Sequence, residues 1–196
     1  TVTDSTKREF RNVITPIMIN QPNTIYEIRY DFDLGGETIE MMEGCTLKFE
    51  GGKVCNGEIY GNDTYIKNIS NTEVLINIKF SGTWNVLESY PEWFGAKGDN
   101  ITDDFEAFNS AKIISSTIRL NSRKYLIKKS LSLTYTNIVG EGEENTFLIY
   151  DGDNDFLTLH EHVAISNLSI KCSNKTIKGA AIKIVNYGKK YSSSEI

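Results

Sequence analysis

Three aspartates close together in sequence, Asp99, Asp103 and Asp104, form the densest carboxylate cluster of the chain. Hydrolysis of a glycosidic bond uses a pair of carboxyls, one as general acid and the other as base or nucleophile across the sugar ring. Such a pair has to face an open groove. The surrounding residues argue for a structural use instead. Asp103 precedes an amphipathic run and is followed by Glu106, the pattern of a helix N-terminus, while Asp99 is placed to pin a turn at Gly98. Acidic groups are favoured at a helix N-terminus by its free N–H groups and its dipole. No catalytic residue is assigned.

Two further groups invite a metal. The run Asp151-Gly152-Asp153-Asn154-Asp155 starts like a calcium loop, because alternate carboxylates suit a hard cation. Phe156 then stands where such a loop needs glycine, and His162 where it needs glutamate, so a solvated corner is the better reading. His160 and His162 would project the same way from one strand, as two metal ligands do, but no third ligand lies nearby. Neither metal nor cofactor is expected. Trp84, Tyr90, Trp93 and Phe94 gather where two strand-rich halves meet. Flat aromatic faces stack on the C–H faces of pyranose rings, but they also plug the apolar cross-section of a stack of coils. Trp93 and Phe94 come just before the helix, which favours the plug.

The elements that must position these residues are short. Thr1 to Pro22 has weak periodicity, with Phe10, Val13, Ile14, Ile17 and Met18 near helical spacing, and reads as a short helix or a docking arm. From Thr24 the pattern alternates, with Tyr26, Ile28, Tyr30, Phe32 and Leu34 on one face and a turn at Gly35-Gly36. Short strands follow at Thr38–Met41, Thr46–Phe49, Glu58–Tyr60, Tyr65–Ile66 and Val74–Phe80, separated by Glu43-Gly44, Gly51-Gly52, Asn56-Gly57 and Gly61-Asn62. A helix is expected from Asp103 to Ile114, with Phe105, Phe108, Ala111, Ile113 and Ile114 as its apolar stripe. Short strands then resume to Val185. Strands this short are stable only when stacked on like strands about 4.8 Å away, which favours a solenoid with coils of about 20 to 30 residues over a sandwich. Corners rich in Asn and Gly fit that choice, since they need a left-handed backbone.

Composition narrows the partners. The 196 residues, 39% hydrophobic and 24% charged, are those of a globular chain. A net charge of -5 and only the short pairs Lys128-Lys129 and Lys189-Lys190 argue against nucleic acid. The three cysteines, Cys45, Cys55 and Cys172, match neither a disulfide framework nor a zinc site, and are expected to be buried or half-buried thiols. No apolar stretch of about 18 residues is present, and Thr1 to Arg11 lacks the apolar core of a signal peptide, so neither a membrane partner nor a visible export signal is expected.

The stretch from Tyr90 to Phe108, YPEWFGAKGDNITDDFEAF, resembles the opening signature of the pectate-lyase-like superfamily: a Phe-Gly-Ala-x-Gly-Asp-Gly run, a Thr-Asp-Asp triplet and an amphipathic helix. Asn100 replaces the family's usual glycine and tolerates the same left-handed turn. Ser116 to Gly142 is similar to the first coils of such proteins, with Tyr125-Leu126-Ile127 and the corner Val139-Gly140-Glu141-Gly142. Tyr26 to Gly61 is similar to a head segment that precedes β-helices in phages and prophages of Bacteroides-type gut bacteria.

The resemblance implies an all-β fold: a right-handed, single-stranded parallel β-helix with one N-terminal capping α-helix and a β-rich head segment. Residues 1–22 would be an arm, 23–86 the head, and 87–196 the capping helix and first coils, with further coils expected after residue 196. Trp93, Phe94, Gly95, Gly98, Asp99, Thr102, Asp103, Asp104 and Glu106 would be the structural signature and cap. The implied function is that of a phage tail spike or tail fibre in the virion tail. It would form a homotrimer, dock on other tail proteins through its arm and attach to a bacterial surface polysaccharide. The alternatives are a polysaccharide lyase or glycoside hydrolase of the same fold, secreted or at the bacterial surface, with its active site in later coils, and a virion strut.

Overall fold

The computed structural model describes residues 18–68, 71–173 and 178–185. The expected arm over residues 1–22 thus lies, up to residue 17, outside the described residues. The chain divides into two compact units: the first ends at Val86 and takes back Glu92–Gly95, and the second comprises Leu87–Pro91 and the chain from Ala96 onward. Trp93 and Phe94 therefore belong to the first unit. Both units are parallel β-solenoids.

In the first unit the strands are β1 (Ile25–Ile28), β2 (Phe32–Asp33), β3 (Thr38–Glu40), β4 (Thr46–Phe49), β5 (Val54–Asn68) and β6 (Leu75–Trp84). Every pairing among them is parallel. Ile25 lies on Thr46 and Thr46 on Tyr65, while Thr38 lies on Glu58 and Glu58 on Lys79, so one coil takes 19 to 21 residues on these faces. Inward side chains stack in rows, Ile28 on Phe49 and Ile39 on Ile59 on Phe80, all buried. The expected single strand from Thr24 to Leu34 is broken by a corner that turns Tyr30 outward, 57% exposed, where alternation had it facing in. The separators Asn56-Gly57 and Gly61-Asn62 lie inside the long strand β5, which carries the corners within it. Asn56 (φ 58°) and Asn77 (φ 53°) make one corner, where Asn77 Nδ2 donates to Asn56 Oδ1 at 3.2 Å and Asn56 Nδ2 to Asp33 Oδ2 at 3.1 Å. At the next bend Gly82 (φ 77°) lies on Gly61, and a Cβ on Gly82 would strike the Gly61 carbonyl.

The second unit contains β7 (Asp99–Asp103), α1 (Phe105–Ile114), β8 (Thr117–Arg119), β9 (Lys124–Ile127), β10 (Leu131–Leu133), β11 (Asn137–Val139), β12 (Phe147–Tyr150), β13 (Leu157–Leu159), β14 (Ala164–Ser166), β15 (Ser169–Cys172) and β16 (Ile182–Ile184). They form three parallel sheets, β7-β9-β12-β15, β8-β11-β14 and β10-β13-β16. Coil length varies more here, with Thr117 on Asn137 and Asn137 on Ala164, 20 and 27 residues apart. Rows in register run Ile118, Ile138, Ile165 and Leu131, Leu157, Ile182; the first two members of each are buried, whereas Ile165 is half-buried and Ile182 is exposed. Before β8, Ser89 forms a parallel bridge to Ile118.

The helix begins at Phe105 with Asp104 in the N-cap position, one residue after the Asp103 expected there, although Asp104 makes no side-chain cap bond and Asp103 Oδ1 accepts the Phe105 N–H. Ala107, Phe108, Ala111 and Ile114 are its buried residues, and Phe108 packs edge-on against Tyr125, ring centroids 5.5 Å apart. Ile113, expected in the apolar stripe, is 52% exposed, because at helical spacing it lies off the face formed by Ala107, Phe108, Ala111 and Ile114. The thiols differ as well. Cys45 is buried and donates to the Gln21 carbonyl at 3.2 Å, and Cys55 is half-buried. Cys172 is exposed, contrary to expectation, since its row from Ile127 through Tyr150 has no described rung beyond β15 to cover it.

Candidate functional site

The aspartate cluster is drawn together by backbone N–H groups. Asp99 Oδ1 accepts from Ile101 N at 2.9 Å and Thr102 N at 2.7 Å, and its Oδ2 accepts the Thr102 hydroxyl at 3.0 Å. These bonds hold the Asp99 carboxyl below the usual carboxylate range, those from the Thr102 and Ile101 amides most of all. Asn100, at the tip of the loop, adopts φ 63°, the left-handed geometry its position demands. Asp103 Oδ1 accepts from Phe105 N and from Lys128 N, both at 3.2 Å, and so ties the helix start to the neighbouring coil.

Asp104 behaves differently. Its carboxylate reaches back to accept Lys97 N at 2.7 Å and Gly98 N at 3.1 Å, pinning the turn in which Gly98 takes φ 57°. That role was expected of Asp99. Asp104 is only 2% exposed, and burial pushes its carboxyl up to about 6 against the pull of the two amide bonds, with the Asp99 charge adding to the rise. Glu106 points outward to Lys129 Nζ at 3.0 Å. The three carboxyls are thus spent on amides and a turn, and the arrangement fastens the entry to the solenoid. Gly95 lies in the first unit at φ 96°.

Trp93 is 5% exposed and its carbonyl accepts Val74 N at 3.0 Å. Phe94 and Trp84 both pack edge-on against Phe80, at 5.3 and 5.5 Å between centroids, so these aromatics close around the Ile39-Ile59-Phe80 row of the first unit.

The aspartates of the calcium-like run diverge. Asp151 accepts the Ser173 hydroxyl at 2.6 Å, whereas Asp155 accepts Ala180 N at 2.9 Å and pairs with Lys183 Nζ at 2.8 Å. The Lys183 bond, followed by that from Ala180, holds the Asp155 carboxyl low. Both residues fasten one coil to the next. No group of three or more metal-ligating side chains gathers among the described residues.

The histidines separate. His160 Nε2 lies 3.1 Å from Ser132 Oγ, and Lys112 Nζ donates to the Ser132 carbonyl at 3.1 Å. His162 turns at φ 51° and stacks on Tyr135, ring centroids 5.1 Å apart and planes at 23°. Tyr135 itself has φ 51°, is 57% exposed and donates its hydroxyl to Glu161 Oε2 at 2.6 Å. Sequence reasoning missed Tyr135, because Thr134-Tyr135-Thr136 carries no turn signal. The one signal available was its register with His162, one coil later.

Comparison of the chain with known protein families, with described proteins and with solved structures finds no match. No helix among the described residues is long and apolar enough to cross a membrane.

Proposed function

We propose that the protein is a phage tail-spike or tail-fibre component, a right-handed β-helix of the pectate-lyase-like type, that attaches the virion to glycan on the host surface. The observation that carries this reading is the entry to the second unit. The Gly98 turn, the Asp99 loop, Asp104 and α1 follow one another in the order of the signature that the sequence resembles, and they lead straight into parallel coils. A solenoid suits attachment, because its outward side chains repeat rung by rung about 4.8 Å apart and offer a regular face to a polymer. The arm over residues 1–22 docks on other tail proteins, and the working form is a homotrimer.

The test is adhesion of the labelled full chain to encapsulated host cells and to the same cells stripped of capsule. Binding confined to the encapsulated cells supports the reading, and equal binding to both sinks it. Release of reducing or unsaturated ends from the capsule would reassign the protein to the lyases or hydrolases of this fold.

A further inference from the structure

Among the described residues, eight other than glycine adopt a positive φ, and six of these are Asn or Asp: Asn23, Asn56, Asp63, Asn77, Asn100 and Asn167. Their short polar side chains offset the strain of a left-handed backbone by bonding locally, so their presence at corners is ordinary. The other two are Tyr135 and His162. Neither ring gains core packing, since both residues are exposed. They hold equivalent corners of successive coils, between β10 and β11 and between β13 and β14, and they stack on each other. Histidine is common enough in this conformation, but a tyrosine ring kept on the surface there, stacked on it, points to a demand other than folding.

Their surroundings indicate what that demand is. The Tyr135 hydroxyl meets the Glu161 carboxylate, and a few residues along each strand His160 lies on Ser132 beside the Lys112 ammonium. A flat aromatic face thus shares one end of the β10-β13 sheet with a carboxylate, an imidazole, a hydroxyl and a cation. A pyranose ring matches such a surface, because its axial C–H groups stack on the ring while its equatorial hydroxyls both donate and accept. We propose that the corner built by Tyr135, Glu161 and His162, flanked by His160, Ser132 and Lys112, is a subsite for one pyranose unit of a surface polysaccharide. It rests on the reading of the protein as a glycan adhesin. The competing account is a staple, in which the stack and the Tyr135–Glu161 bond merely fasten two coils.

The double variant Tyr135→Asn/His162→Asn of the full chain separates them, since Asn suits both backbone positions better than the native rings. Melting temperature and affinity are measured together, with immobilised host capsule, dextran, chitohexaose and oligogalacturonate as probes. The subsite predicts a variant that melts no lower than the wild type and binds at least one probe about tenfold more weakly. A variant that melts lower and binds as before overturns it in favour of the staple. If melting and affinity both fall, Glu161→Ala, which leaves both rings in place, decides: weaker binding at unchanged melting supports the subsite, and unchanged binding overturns it. Wild-type binding that survives every variant sinks this corner and leaves the adhesin reading standing, whereas no wild-type binding to any probe removes both.

Discussion

The carboxylate of Asp104 accepts N–H groups from Lys97 and Gly98, yet burial outweighs them and lifts its pKa to about 6. The folded state therefore holds a proton at this site more tightly than the unfolded chain, whose aspartate titrates near 3.9. Stability linked to Asp104 is fully present below that unfolded value and is lost as pH rises through about 6. Asp104→Asn removes the dependence. Urea unfolding of both proteins at acid and neutral pH should show the wild type gaining on the variant toward acid pH, by up to about 3 kcal/mol. A difference independent of pH would contradict the assignment. Asn77 offers a second test at this scale. Asn77→Ala loses the bond to Asn56 and places a Cβ-bearing apolar residue at φ 53°, a loss of about 2 kcal/mol in thermal or urea unfolding. Asn77→Gly keeps the backbone at ease and should cost about half as much.

At the scale of elements, α1 is joined to the second unit by Phe108, which is 1% exposed and packs edge-on against Tyr125. Ser89 Oγ donates to the Ala111 carbonyl at 3.0 Å and ties the other end of the helix to the first rung. Phe108→Ala removes the largest buried side chain of the helix and should destabilise by about 3–5 kcal/mol. Hydrogen exchange is the sharper readout: amides of Phe105–Ile114 should lose protection first, while those of β11 and β12, which pair with rungs on both sides, retain theirs.

For the whole molecule the prediction concerns assembly. Parallel solenoids display strand edges and long faces, and three chains side by side bury much of that surface under closed symmetry. Sedimentation equilibrium of the full chain at micromolar concentration should return three chain masses. A monomer there would count against the spike reading and would leave the parallel coils as they are.

Much of the architecture was legible from local pattern. Short strands with Asn and Gly between them led to stacked coils of about 20 to 30 residues, and the observed spacings are 19 to 27, with a left-handed residue at many though not all of the corners. The run from Trp93 to Phe108 likewise announced a turn, an aspartate cluster and a helix, since capping depends on neighbours in sequence. What it left undecided was the partner of each carboxylate. Asp104, not Asp99, pins Gly98, because the chain between them folds back within six residues, and Asp103 also reaches Lys128 on the next rung, 25 residues on, an amide that only the stacking of coils brings to it. Tyr135 and His162 show the same limit: 27 positions apart, they meet only because one full coil brings the second corner over the first. Local chemistry set the rungs and corners of this protein, and only the stacking of coils decided which side chains stand together.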